Sequence, residues 1–326
     1  MAIHNKSHSN SGLMSMNRMN KDCIKHKSSV EFEIPDYTNC LLLNQDCLEI
    51  LSKLPDNSIN LILIDPPYNL DLASWDTYDN YMEWAKKWLD ESYRVLSPNG
   101  NMVIFGGTQF QNVRSGDLIE IIHYCRHYTK WRLVNTIVWY YKNGMSAHRY
   151  FANRHEEIIW LTKTDKYYFD LDSVRVPYSA KDLEVALKDK RLIPENVKKG
   201  KNPTNVWEIG RLNGNSLERV GHPTQKPLEI IRRLVRALSY PDSIVLDFFS
   251  GSGTTGRVCI EEKRNCIMCD KDIESQRYFE KHIKNMQQTN LAQPYIMSET
   301  LEDFFRNIKN NCSENQAIIY PERLLF

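Results

Sequence analysis

Residues 245–257 read VLDFFSGSGTTGR. Apolar residues run into Asp247, two aromatics follow, and Gly251 and Gly253 open a helical pattern that continues through CIEEKR. Residues 243–264 therefore predict a strand, a glycine-rich turn and a helix. Small residues at such a turn let backbone N–H groups and a helix N-terminus approach a ligand closely. The next apolar run, NCIMCD at 265–270, predicts a strand ending on Asp270. A carboxylate about 20 residues beyond a glycine turn is where a ribose diol is hydrogen-bonded in dinucleotide sites. Gly251, Gly253 and Gly256 satisfy G-x-G-x-x-G. Spacing alone leaves a nicotinamide or flavin site open beside a plain tight turn.

The chain around this stretch alternates strands and helices. CLLLNQDCLEILSKL (40–54) reads as a strand, a turn at Asn44-Gln45-Asp46 and a short helix. SINLILIDPPY (58–68) is a strand, YMEWAKKWLDESYRVL (81–96) an amphipathic helix stopped by Ser97-Pro98-Asn99-Gly100, and NMVIFGG (101–107) a buried strand. LVNTIVWYY and EEIIWLTK add strands, LEIIRRLVRALS and SQRYFEKHIKNMQQ helices. Such alternation implies an α/β fold with a parallel, doubly wound sheet. Residues 165–220 are polar and Asn-rich without a sustained period. The last 35 or so residues read as an irregular extension, and the first 30 or so, rich in Ser, Asn, His, Met and Lys, as a disordered basic tail.

Composition is ordinary for a globular chain: 41% hydrophobic, 25% charged, net charge +1 over 326 residues. No apolar run approaches the roughly 20 residues that span a bilayer, and the N-terminus lacks the apolar core of a secretory signal. The eight cysteines show no disulfide spacing, so reduced cytosolic thiols are expected. Cys266 and Cys269 form a CxxC without a second pair, which suits buried strand thiols better than a metal site; no metal is expected.

The other decisive stretch is LILIDPPYNL, 61–70. Asp65 closes a buried strand, at the carboxyl edge where α/β sheets bind ligands. Pro66 and Pro67 fix φ and donate no N–H, leaving their carbonyls as acceptors held at a set angle. Tyr68 adds a flat ring. A carboxylate, a peptide carbonyl and a stacking face match an exocyclic amino group on an extruded aromatic base. Two N–H bonds accepted off the ring plane would draw the nitrogen lone pair out of conjugation and aim it at an electrophile.

DPPY with a separate DFFSGSG resembles the S-adenosylmethionine-dependent DNA amino-methyltransferases. The order, DPPYNL first and FSGSG last, is that of the β class, a circular permutation of the Rossmann-like methyltransferase fold with a mostly parallel seven-stranded sheet and helices on both faces. HPTQKP (222–227) and NQDCLEIL (44–51) resemble segments beside that family's cofactor. NGMSAHRYFANRHEEIIW (143–160) and NPTNVWEIGRLNGNSLERVGHPTQKP (202–227) look like the RsrI-type adenine-N6 enzymes of type II restriction–modification systems. The resemblance covers about 37–290. It implies a tail over 1–36, a catalytic half over 37–164, a target-recognition insertion over 165–220, a cofactor half over 221–290 and an extension over 291–326.

Carried onto this chain, the resemblance gives Asp65 and the Pro66 carbonyl, with Pro67, to the target N6, and Tyr68 to the flipped base. Asp247, Phe248, Phe249, Ser250, Gly251, Ser252, Gly253, Thr254 and Thr255 would wrap the cofactor, with Asp65 beside it. Asp270 would hold its ribose, Asp46 and Cys47 would meet its adenine, and Thr224, Gln225 and Lys226 would flank the site. Asp in the first motif position goes with adenine N6 in this family, Ser with cytosine N4. The partner would be double-stranded DNA, at a palindrome such as GAATTC, in a prokaryotic cytoplasm at the nucleoid. A cognate endonuclease would act on the same site without a stable complex, and a homodimer is compatible. Within 165–220, Asn202, Asn205, Arg211, Asn213, Asn215 and Arg219 suit base edges, while Lys188, Lys190, Arg191, Lys198, Lys199 and Lys201 suit phosphates. His148, Arg149, Asn153 and Arg154 could also face DNA, whereas His155 suits a role in holding the adjacent strand. Rival readings are a cytosine-N4 enzyme, a protein glutamine-amide methyltransferase, a nicotinamide-dependent oxidoreductase and a non-enzymatic DNA-binding protein.

Overall fold

A computed structural model describes residues 35–69, 76, 78–108, 118–144, 147–149, 151–289 and 293–309; the expected disorder of the tail falls almost wholly outside them. Apolar runs form the strands β1 (Thr38–Leu43), β2 (Ile59–Ile64), β3 (Leu96–Gly106), β4 (Arg132–Tyr140), β5 (His155–Thr162), β6 (Val206–Glu208), β7 (Ile244–Asp247), β8 (Asn265–Cys269) and β9 (Tyr295–Ser298). They make one sheet in the order β6-β4-β5-β3-β2-β7-β8-β1-β9. Every neighbouring pair is parallel except those of β5 with β3 and β4.

Among the described residues the sheet has nine strands, not seven. The two additions are its edges, β6 and β9, of three and four residues. Strands this short leave too little alternation to show in sequence. β9 also corrects the reading of the C-terminal segment as irregular. It pairs with β1 (Thr38 opposite Tyr295) and leads into a helix, Leu301–Lys309, that buries Leu301 and Phe304. Residues 165–220 likewise hold helices at Ala180–Lys188 and Pro194–Lys198 besides β6.

Strand alternation sorts the core into two faces. Leu61, Leu63, Val103, Phe105, Ile158 and Trp160 face one layer, with the helices Leu228–Leu238 (α6), Thr254–Glu261 (α7) and Glu274–Gln287 (α8). Ile62, Ile64, Met102, Ile104 and Ile159 face the other, with Cys47–Lys53 (α1), Tyr81–Val95 (α2), Leu118–Tyr128 (α3) and the C-terminal helix. Cys266 and Cys269, three apart on β8, fall into opposite layers, both buried. Among the described residues no helix is long and apolar enough to cross a membrane.

Candidate active site

β2 continues in the chain to β3 on one side, and β7 to β8 on the other. The gap between β2 and β7 is therefore the topological switch point, where the loops above the carboxyl ends part and leave a crevice. A cleft of about 640 Å³ opens there, lined by Asp65–Tyr68 from β2 and by Asp247–Ser252 from β7.

On the β7 side, Asp247 is buried and accepts from Thr255 Oγ1 at 2.6 Å and Phe249 N at 3.2 Å. Burial outweighs these donors and pushes its carboxyl up to about 7. Gly251 N donates to Asp270 Oδ2 at 2.7 Å and Asp272 N to Oδ1 at 2.9 Å. Burial raises Asp270 as well, against those N–H bonds. Asp46 caps α1, accepting from Leu48 N, and meets Lys271 Nζ at 2.6 Å. Burial opposes its ionisation, but Lys271 and the backbone donors hold it below the usual carboxylate range. Tyr78 stacks on Trp84 with ring centroids 4.0 Å apart, and Phe249 lies 5.5 Å from Trp84.

These groups fit a nucleoside bearing a charged tail. Asp270 keeps lone pairs for a diol, the rings offer flat faces, and Ser250 Oγ and Gln45 Oε1 are buried in the cleft wall without a hydrogen-bond partner. Thr224, Gln225 and Cys47 also line it. Gly253 does not. Its φ of 79° turns the chain into α7, and a Cβ there would lie 2.8 Å from the Phe279 ring.

On the β2 side, Pro66 is buried, and Pro67 and Tyr68 half-buried. Tyr68 Oη donates to Asp65 Oδ1 at 2.7 Å, and burial with the Asp65 charge raises the phenol, so it stays a donor. Lys226 Nζ meets Asp65 Oδ2 at 2.6 Å and Glu156 Oε2 at 3.5 Å. Asn69, at φ 55°, accepts Tyr78 N on its amide oxygen and donates its own N–H to Asp76. Glu156, Tyr78, Trp84 and Asp76 line the cleft; the sequence reading missed all four.

Residues 59–281 match the DNA methylase family whose members act on amino N6 or N4 positions. The chain belongs to this family. It is 36% identical over 239 residues to the type II methyltransferase M.HpaI of Haemophilus parainfluenzae, covering 72% of this chain and 70% of that one. To the DNA adenine methyltransferase YhdJ of Escherichia coli it is 32% identical, covering 69% and 76%. Two solved structures share the fold. PvuII DNA methyltransferase, titled cytosine-N4-specific, has a TM-score of 0.55 at 19% identity, covering 79% of this chain and 96% of that one. A putative DNA modification methylase of Thermus thermophilus, complexed with S-adenosylmethionine, has 0.55 at 20%, covering 80% and 98%.

The methylase is an S-adenosylmethionine-dependent DNA methyltransferase. Its expected DNA-facing residues divide. Arg211, Asn213 and Arg219 line the cleft. Arg211 lies 4.7 Å over the Tyr141 ring, Asn213 Oδ1 accepts from Asn143 at 3.1 Å, and Arg219 donates to the carbonyl of His222 at 3.1 Å. Lys199, Lys201, Asn205, Asn215, His148 and Arg149 lie outside the cleft wall. Lys199 pairs with Asp172 at 2.9 Å, and Lys201 sits over the Tyr178 ring. Asn205 continues the sheet, donating to Thr136 O and accepting from Val138 N, both at 2.8 Å. His155 meets Glu157, which also takes the Thr108 hydroxyl at 2.7 Å, so it ties two strand ends together.

Proposed function

We propose that the chain methylates the N6 amino group of an adenine extruded from duplex DNA, at a palindromic site shared with a cognate endonuclease. The observation that carries this is the Asp65-Pro66-Pro67-Tyr68 turn, placed across one cleft from the glycine loop. Asp65 retains lone pairs beyond those taken by Tyr68 and Lys226. It can accept one amino hydrogen while the Pro66 carbonyl accepts the other. The Tyr68 hydroxyl bond fixes the ring, which offers a face to a flipped base. When bound, S-adenosylmethionine supplies a methyl group on a cationic sulfur, open to attack by an amine. The chain contributes position and electrostatics: it holds the amine, orients its lone pair and keeps anionic acceptors beside the developing ammonium. The surplus proton leaves to Asp65 or to water.

Adenine rather than cytosine is supported by the aspartate in the motif and by the adenine enzyme among the relatives. GAATTC is the site to test first, on the likeness of 202–227 to the RsrI-type enzymes. Labelled S-adenosylmethionine, duplex DNA and digestion to nucleosides test the reading. Label in N6-methyladenine is expected; label in N4-methylcytosine would move the enzyme to the other branch of the family, and no label in DNA would reject the reading. Sequencing the methylated DNA then reads the site, and modification outside AATT-containing sequences rejects GAATTC.

A further inference from the structure

Lys226 was expected to flank the cofactor site; it lines that cleft and also bonds Asp65, 161 positions away in the chain. Strand alternation explains the meeting. Leu61 and Leu63 put Asp65 on the face covered by α6, and Ile158 and Trp160 put Glu156 on the same face. β3 lies between β2 and β5, so the two acids start about 10 Å apart, two strand spacings. Lys226, two residues ahead of α6, reaches over that gap. Its Nζ lies 5.4 Å above Phe105, on the intervening β3, and 5.7 Å from the Tyr68 ring. The lysine side chain is 10% exposed, Asp65 25% and Glu156 18%. Glu156 Oε2 has no hydrogen-bond partner, so the 3.5 Å ion pair is its main compensation.

From this geometry we infer that Lys226 and Glu156 form a clamp that positions Asp65 as an amino-group acceptor. Lys226 is a positioning residue, acting through Asp65. With Tyr68 on one carboxylate oxygen and Lys226 on the other, the plane of Asp65 is fixed and its free lone pairs have set directions. Glu156 holds the lysine from the far side and supplies a second negative charge. The three groups, when ionised, sum to −1, so the lysine aligns Asp65 without cancelling the site's attraction for the ammonium that forms on the target nitrogen. Hydrogen bonds to charged groups contribute about 1.5–3 kcal/mol, which converts to about 10–150-fold in rate.

The inference rests on the amino-methyl-transfer reading, and steady-state kinetics separates the two. Wild-type chain that labels no DNA rejects the reading. With active wild type, Lys226→Met is expected to lower kcat about 100-fold, Lys226→Arg to restore at least a tenth of it, and the near-isosteric Glu156→Gln to lower it about tenfold. Cofactor affinity by calorimetry stays within threefold throughout. The decisive readout is a double-mutant cycle: in the Lys226→Met background, Glu156→Gln costs well under its tenfold in the wild type, because most of its effect passes through the lysine. The clamp is overturned if Glu156→Gln leaves kcat within twofold, if the losses multiply, or if Lys226→Met and Lys226→Arg both weaken cofactor binding while kcat holds.

Discussion

Asp247 is the residue whose titration the fold makes measurable. It closes β7, is buried, and has its carboxyl raised from 3.8 to about 7, chiefly by burial. A carboxyl raised in the folded state binds its proton more tightly there than in the unfolded chain. It therefore leaves stability untouched below about pH 4, costs stability as pH rises, and reaches its full cost above about pH 7. The shift of about three units corresponds to roughly 4 kcal/mol at 1.36 kcal/mol per unit, of which roughly 2 to 3 kcal/mol develops between pH 5 and pH 8. Asp247→Asn removes the titration and keeps the geometry: its amide oxygen can accept the Phe249 N–H and its NH₂ can donate to the Thr255 hydroxyl. Urea unfolding of both proteins at pH 5, 6, 7 and 8 isolates the effect, because titrating groups not coupled to Asp247 cancel in the difference. The variant should gain about 2 to 3 kcal/mol on the wild type between pH 5 and pH 8. A difference that stays flat would refute the account of Asp247 as a desolvated acid. A cationic cofactor favours the ionised carboxylate, so wild type should also release a fraction of a proton on binding near pH 7, and the variant should release less. Calorimetry in buffers of different ionisation enthalpy reads that release.

Gly253→Ala combines a left-handed φ with a Cβ 2.8 Å from the Phe279 ring; a loss of about 3 kcal/mol or more is expected. Gly256→Ala meets the buried Met268 side chain and the Phe279 ring at 2.9 Å but carries no left-handed φ, and should cost about 1–3 kcal/mol; a larger loss than that of Gly253→Ala in thermal unfolding would reject the part given to backbone strain. Phe304→Ala, at 0% exposure, should cost about 3–5 kcal/mol, where a loosely attached C-terminal segment would show no change in Tm. Phe151 is 98% exposed on the β4–β5 loop, whose Asn143 and Gly144 line the cleft. An apolar side chain placed there can wedge into a base stack. Phe151→Ala should then slow methylation of a paired target at least tenfold and recover on a target opposite an abasic position; an equal loss on both substrates would argue against the wedge.

What the sequence made legible follows from how local each signal is. VLDFFSGSGTTGR and LILIDPPYNL each carry their own strand, turn and chemistry within a dozen residues, so both ends of the cleft could be named from the text. Lys226 was named as flanking the cleft, but its bond to Asp65 was not legible, because that partner is set by a pairing across the sheet. Glu156 was missed for the same reason: one acid in EEIIWLTK faces the cleft and its neighbour Glu157 the strand ends, and only the register of β5 against β3 decides which. β9 went unseen because four residues show little period, and the nine-residue helix after it went unread with it. Yet Thr300 accepts the Asp303 N–H at 3.1 Å, and that Thr-x-x-Asp ahead of Phe304 and Phe305 was a helix start available to be read.

The position of the site explains why the order of its two halves along the chain is immaterial to its chemistry. In a parallel sheet every strand delivers its following loop to the same edge. β2 and β7 are neighbours with Leu61 opposite Val245, so Asp65 and the glycine loop emerge side by side whichever strand the ribosome makes first. The chain has to meet one condition: the strand with the acceptor turn and the strand with the glycine turn flank the switch point. The clamp inherits that condition, since Lys226 enters just ahead of α6, the helix leading into β7, and lies over β3 and β2 because α6 covers their shared face. Moving the break in the chain elsewhere around the sheet would preserve both contacts to Asp65, from Tyr68 and from Lys226. Exchanging β7 with β8 would separate the cofactor loop from the acceptor turn by two strand spacings, about 10 Å, farther than a single methyl group can bridge.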